Sequence, residues 1–221
     1  IKNCPLRESG GYGFFFDENS DLTFVENTVT QNTSGAGFVE DDAAGRLDSA
    51  SSYTGNDEEL VWVDADNLVV DQTWPAIDVP YVIDGDISIN QAPGITLTIE
   101  AGATFHFRPS SGISVGTDGA LIAQGTAQDP ITMTWAIENS PWEGVHFYNS
   151  ASPENLLEQV IIEHAGGYAF AYGEKANVAL TSSGSPVGAT IKNCTLKKSA
   201  GYGFFFDQLA VLGSFSDNIV T

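Results

Sequence analysis

The first 17 residues, IKNCPLRESGGYGFFFD (Ile1 to Asp17), recur as IKNCTLKKSAGYGFFFD (Ile191 to Asp207) with four substitutions. Self-similarity of that density marks a duplicated structural unit, and a chain built of duplicated units is constrained to a repeat architecture. The correspondence runs on to Thr221 with one inserted residue, since Phe24, Asn27, Val29 and Thr30 answer Phe215, Asn218, Val220 and Thr221. The chain therefore reads as one continuous domain over 1–221, a repeat of ~190 residues plus the start of the next. A shorter period runs inside it. GGYGFFFD (Gly10 to Asp17) and SGAGFVED (Ser34 to Asp41) are 24 residues apart, as are Asn3 and Asn27. GGYAF (Gly166 to Phe170) precedes AGYGF (Ala200 to Phe204) by 34, which predicts an extra loop around Gly173 to Pro186.

A unit of about 24 residues holds two or three short apolar-alternating strands and cannot bury a face alone, so it must stack on its neighbours. The expected fold class is all-β, a parallel solenoid of about nine coils with almost no helix. Its strands are expected at Tyr81 to Ile89, Ile95 to Phe107, Ile113 to Gly125, Pro130 to Trp135 and Gly144 to Tyr148. Strand parity predicts Phe14, Phe16, Phe38, Phe204 and Phe206 inside, with Phe15 and Phe205 turned outward. Asn3, Asn27, Asn193 and Asn218 fall at the turns, where side-chain amides can satisfy neighbouring backbone. Equivalent positions one large period apart lie far apart in a continuous solenoid, so Cys4 and Cys194 are expected to be unpaired.

The stretches VPYVIDGDISI, LTIEAGATFHF, GALIAQGTAQDPITMT, WEGVHF, LEQVIIEHAGGY and IKNCTLKKSAGYGFFF cover most of the chain. In them the chain resembles the right-handed parallel β-helix repeat family of large bacterial and archaeal extracellular proteins, within the pectin-lyase-like superfold. That resemblance implies an exported or cell-surface protein of repeated modules, linked to adhesion or polysaccharide biology. It also places Trp74 and Trp142 at core positions. The pattern it rests on records packing and carries no catalytic signature.

Charge narrows the partners. With 29 acidic against 8 basic residues the formal net charge is -21, which repels phosphate backbones and leaves no basic footprint for nucleic acid. No apolar run reaches the ~18 residues of a membrane span. Lyases of this superfold need a strong base, and hydrolases need clustered carboxylates. Arg7, Arg46 and Arg108 fall in different coils, and His106 with Arg108 is the best cationic pair. The leading expectation is thus a non-catalytic structural or adhesive module whose partners are copies of itself, in tandem or head to tail. Alternatives are a carbohydrate-binding module, with Phe15, Phe205, Trp62 and Trp135 as sugar platforms, and a polysaccharide lyase or hydrolase. No cofactor is implied. Calcium is the one ion the acidic clusters suit, through Asp64, Asp66, Asn67 and Asp71, with Asp84 and Asp86 as a second group; solvated acidic turns explain the same residues.

Overall fold

Thr-Phe-His-Phe at 104–107 shows how this sequence becomes structure: Phe105 and Phe107 are fully buried, while Thr104 and His106 between them are partly exposed. That alternation is the period of two of a strand with one face in a core. The computed structural model describes residues 1–90, 94–170 and 173–221. Within them the fold is all-β, with one helical turn, α1 (Asp41–Ala44).

The N-terminal strands are β1 (Pro5–Arg7), β2 (Phe14–Phe16), β3 (Thr28–Thr30), β4 (Gly37–Glu40), β5 (Val61–Asn67), β6 (Gln72–Trp74) and the long β7 (Tyr81–Ile89). From there strands come in triplets. The first is β8 (Thr96–Ile99), β9 (Thr104–Phe107) and β10 (Gly112–Val115), and the second is β11 (Ala120–Gln124), β12 (Ile131–Trp135) and β13 (Val145–Tyr148). They are followed by β14 (Leu156–Glu158), β15 (Val160–Glu163) and β16 (Ala176–Thr181), then β17 (Val187–Lys192), β18 (Thr195–Lys197) and β19 (Tyr202–Phe206). The last two are β20 (Ala210–Ser216) and β21 (Ile219–Val220). Each strand pairs with the third one after it, giving the rows β8-β11-β14-β17-β20, β9-β12-β15-β18-β21 and β10-β13-β16-β19. Every strand pairing among the described residues is parallel. The arrangement is compatible with a solenoid.

Two of these rows meet at β7. Its first half, Tyr81–Ile83, pairs with β9, and its second half, Asp86–Ile89, pairs with β10. Gly85 sits between them at φ +97°, where a side chain would collide with the Ala65 carbonyl oxygen. Only glycine occupies that conformation at such close range without strain. The bend sends Asp84 to one flank, within 3.6 Å of Arg108, and Asp86 to the other, beside Gly112.

The core runs through the rows as stacked rings. Trp74, Tyr81, Phe105, Phe107 and Trp142 follow one another at centroid distances of 5.6, 5.3, 6.2 and 4.2 Å, all fully buried. Contacts of this kind add to the area each ring removes from water. Trp74 and Trp142 thus occupy the core, as expected. Turn asparagines join successive layers: Asn27 accepts the Cys4 backbone N–H at 3.0 Å, and Asn218 accepts that of Cys194 at 2.9 Å. Both cysteines are free. Among the described residues no helix is long and apolar enough to cross a membrane.

Several local expectations are corrected. The motif alignment sets Phe14 over Phe38, but the register pairs Phe14 with Gly37 and Phe15 with Phe38. The Phe14 ring fills the space a side chain at 37 would need, so the slip of one residue is fixed by packing. Phe38 consequently lies on the outer side and is only partly buried. Phe206 is 54% exposed because β19 is covered on one side only, by β16. The surplus residues of the 34-residue spacing also lie elsewhere. The middle of the expected loop at Gly173 to Pro186 is strand β16, buried throughout, and surplus residues fall before it, between β15 and β16. The residue inserted in the second repeat is absorbed at Gly213, which the β17–β20 register skips between Leu212 and Ser214.

Candidate functional site

Outward-facing residues of β2, β4 and β5 form a row. Phe15 pairs in register with Phe38 and Phe38 with Trp62. Phe15 is 60% exposed and stacks on Phe38 at 5.4 Å, and the tilted Tyr12 ring also packs on Phe38 at 5.6 Å. Beyond Trp62 the row continues through Val82 and His106. A groove of about 400 Å³ opens there, lined by Trp62, Pro80, Val82, His106, Arg108 and Ile137. The Arg108 guanidinium lies over the Trp62 ring, 5.3 Å from its centroid. A planar cation on an indole is attractive, and Asp84 holds the guanidinium from the side. His106 and Arg108 therefore face outward together, with burial lowering the His106 pKa.

The other two proposed platforms lie apart from this row. Trp135 stacks flat on His164, rings 3.8 Å apart and 3° from parallel, so one of its faces is already occupied. Phe205 belongs to a different row, in register with Ala179 of β16, and is half-buried beside Tyr202. The structure thus joins Phe15 and Trp62 through Phe38 and separates both from Phe205 and Trp135.

Of the acidic residues, Asp64, Asp66 and Asn67 line a concavity of about 470 Å³ with Glu18, Glu40 and Asp41. Asp41 is buried and accepts backbone N–H groups from Asp42 and Asp66, at 2.9 and 2.8 Å. Burial raises its pKa to about 6. Asp71 is not part of this concavity; its carboxylate accepts the Thr96 N–H at 2.9 Å. Among the described residues no group of three or more His, Cys, Asp or Glu side chains is arranged to hold a metal ion.

A second, sharper concavity lies on the flank to which Gly85 turns Asp86. It holds about 300 Å³ and is lined by Asp86, Ser114, Glu143, His146, Tyr168 and Phe170, with Gly112 in its floor. A Cβ at Gly112 would lie 3.0 Å from that of Glu143 and 3.3 Å from the Asp86 carboxylate, so the missing side chain keeps the space between the two acids open. Burial, and then the charge of Asp86, push the Glu143 pKa up to about 7. Asp86 is also raised by burial, against a backbone hydrogen bond from Gly112. His146 pairs through Nε2 with the Thr181 hydroxyl at 2.7 Å, and burial pushes its pKa down to about 4, leaving it uncharged near neutrality. Such a pair can hold a proton on one carboxyl beside a charge on the other, or accept several N–H donors at once.

The sequence reading missed Glu143, Tyr168 and Phe170. WEGVHF was read as a strand, and its Trp142 is indeed core, but Glu143 next to it points into the concavity. GGYAF was read as one more copy of the stacked motif. In fact β19 pairs with Ala176–Leu180, and GGYAF bulges out so that Phe170 packs on His146 at 4.5 Å. The signal that could have revealed this was the 34-residue spacing itself, which demands residues outside the rows. No family model matches this chain, and no curated protein and no solved structure matches it.

Proposed function

We propose that the chain is a right-handed parallel β-helix of about nine coils, continuous over 1–221. In this reading it serves as a non-catalytic structural and adhesive module of a repetitive secreted or cell-surface protein. The observation that carries the reading is the conservation of register between the two copies of the repeat. Pro5–Arg7 pairs with Thr28–Thr30, and its counterpart Thr195–Lys197 pairs with Ile219–Val220. A unit that reproduces its own pairing can be added in tandem or stacked head to tail, which is the physical requirement of a rod.

A second reading is carbohydrate binding along Phe15, Phe38 and Trp62. It is favoured by their common row and by the exposure of Phe15, because stacked rings spaced along a flat face suit successive sugar units. One experiment tests both. The chain is applied to a glycan array, incubated with a panel of polysaccharides, and followed by light scattering across a concentration series. The structural reading expects concentration-dependent assembly and no polysaccharide cleavage; turnover of any polysaccharide defeats it. Binding that disappears in Phe15→Ala would promote the second reading.

A further inference from the structure

We propose that the concavity between Asp86 and Glu143 is a binding site for an organic ammonium ion carried on a ring-sized body, the chemistry of a 2-amino sugar. The inference goes beyond the structural reading and does not depend on it.

Three observations converge on that ligand. The first is an unmatched pair of acids. Among the described residues no Lys, Arg or His forms an ion pair with Asp86 or Glu143. His146, the one basic side chain among the described lining residues, is half-buried and engaged with Thr181. Two carboxyls facing one space without a cation repel each other, and a positive charge placed between them relieves that repulsion. Gly112 leaves that place vacant of side chain.

The second is the aromatic wall. Tyr168 is 55% exposed and stands edge-on to Phe170 at 6.1 Å, and both rings line the same concavity as the acids. Ring faces attract an alkylammonium and its C–H groups through their quadrupole. They give nothing to a bare divalent cation, which needs about six to eight hard oxygens. Carboxylates with aromatic rings therefore select an organic cation over calcium. The third is size. About 300 Å³ is at the small end of ligand pockets, ~300 to 1,000 Å³, and admits one ring-sized ligand. Ser114 supplies a hydroxyl at the same surface for a polar substituent of that ring.

The test is calorimetric titration of the full chain with glucosamine hydrochloride, N-acetylglucosamine and calcium chloride. Glucosamine is expected to bind saturably. N-acetylglucosamine, which has the same ring without the charge, is expected to bind at least about tenfold more weakly, the usual cost of losing a charge-assisted hydrogen bond. Calcium is expected not to displace glucosamine. The isosteric changes Asp86→Asn and Glu143→Gln together should abolish glucosamine binding while circular dichroism stays that of the parent. Tyr168→Ala, at an exposed ring, should weaken binding several-fold without affecting the fold. The proposal is overturned if glucosamine shows no saturable binding, if the acetylated sugar binds equally well, if calcium displaces glucosamine, or if the double variant binds as the parent does.

Discussion

The aromatic row and the acidic concavity are built on the same parallel register and differ in what joins the strands. Along the row, Phe15, Phe38 and Trp62 stand 23 and 24 residues apart, and connections of that length leave the outer face flat. At the concavity, Ser114, His146 and Ala179 stand 32 and 33 apart. The surplus rises above the face, carrying Glu143 after β12 and Tyr168 and Phe170 after β15. Strands supply a platform, and inserted residues supply the walls. The flat region leaves its rings on an open face, whereas the walled one partly encloses its acids.

The largest expected effect breaks the comparison at its deepest point. Trp142 lies 4.2 Å from Phe107, and its indole N–H donates to the Glu163 carbonyl at 2.9 Å, so it fixes the segment that presents Glu143. Trp142→Ala is expected to cost about 3 to 5 kcal/mol in urea unfolding, whereas Trp62→Ala, on the outer row, should cost well under half of that. Equal losses would mean that the two faces are not built differently. Next comes Gly85→Ala, which forces a side chain into the Ala65 carbonyl at positive φ. More than ~1 kcal/mol is expected, together with weakened binding at the concavity, because the bend that presents Asp86 is disturbed.

A smaller effect sharpens the electrostatic contrast. The Glu143 carboxyl titrates near 7 in the folded chain against an ordinary 4.5, so folding favours its protonated form. Its stabilising contribution is full below pH 4.5 and is lost as pH rises through about 7. Asp41 adds the same sign between 3.8 and about 6. His146, at about 4 against an ordinary 6.5, contributes the opposite sign between those values, so the fall in melting temperature due to Glu143 is expected to emerge above about pH 6.5, and Glu143→Gln should remove it. An unchanged slope would place Glu143 in ordinary solvent. The smallest effect is that of Phe15→Ala, at a ring 60% exposed: stability should stay within about 0.5 kcal/mol by thermal melting.

The strands were legible because their alternation is written residue by residue: Tyr81 to Ile89 and Pro130 to Trp135 could be read almost to their ends. The inside of the molecule was legible where parity alone decides, as at Phe14 and Phe16. Register was not. Motif similarity aligned Phe14 with Phe38, but the interlayer contact is decided by which ring fits over which gap, and Gly37 offers the gap. The acidic concavity was illegible for a related reason. Asp86 and Glu143 are 57 residues apart in sequence, and only the pairing of β7 with β10 and of β10 with β13 brings their neighbourhoods together.

The skipped glycine at 213 has a consequence for how such a chain can change over generations. One extra codon in the second copy leaves everything beyond it in place: Phe215 still meets Ile191, and Asn218 still reaches Cys194 as Asn27 reaches Cys4. A bulge confines the length difference to a single layer. Duplicated units can then drift in length, recombine unequally and still produce chains whose layers match. What is inherited intact in this fold is the order of layers, while the number of residues in each is free to wander, and the walls of a new pocket can start as that kind of accident.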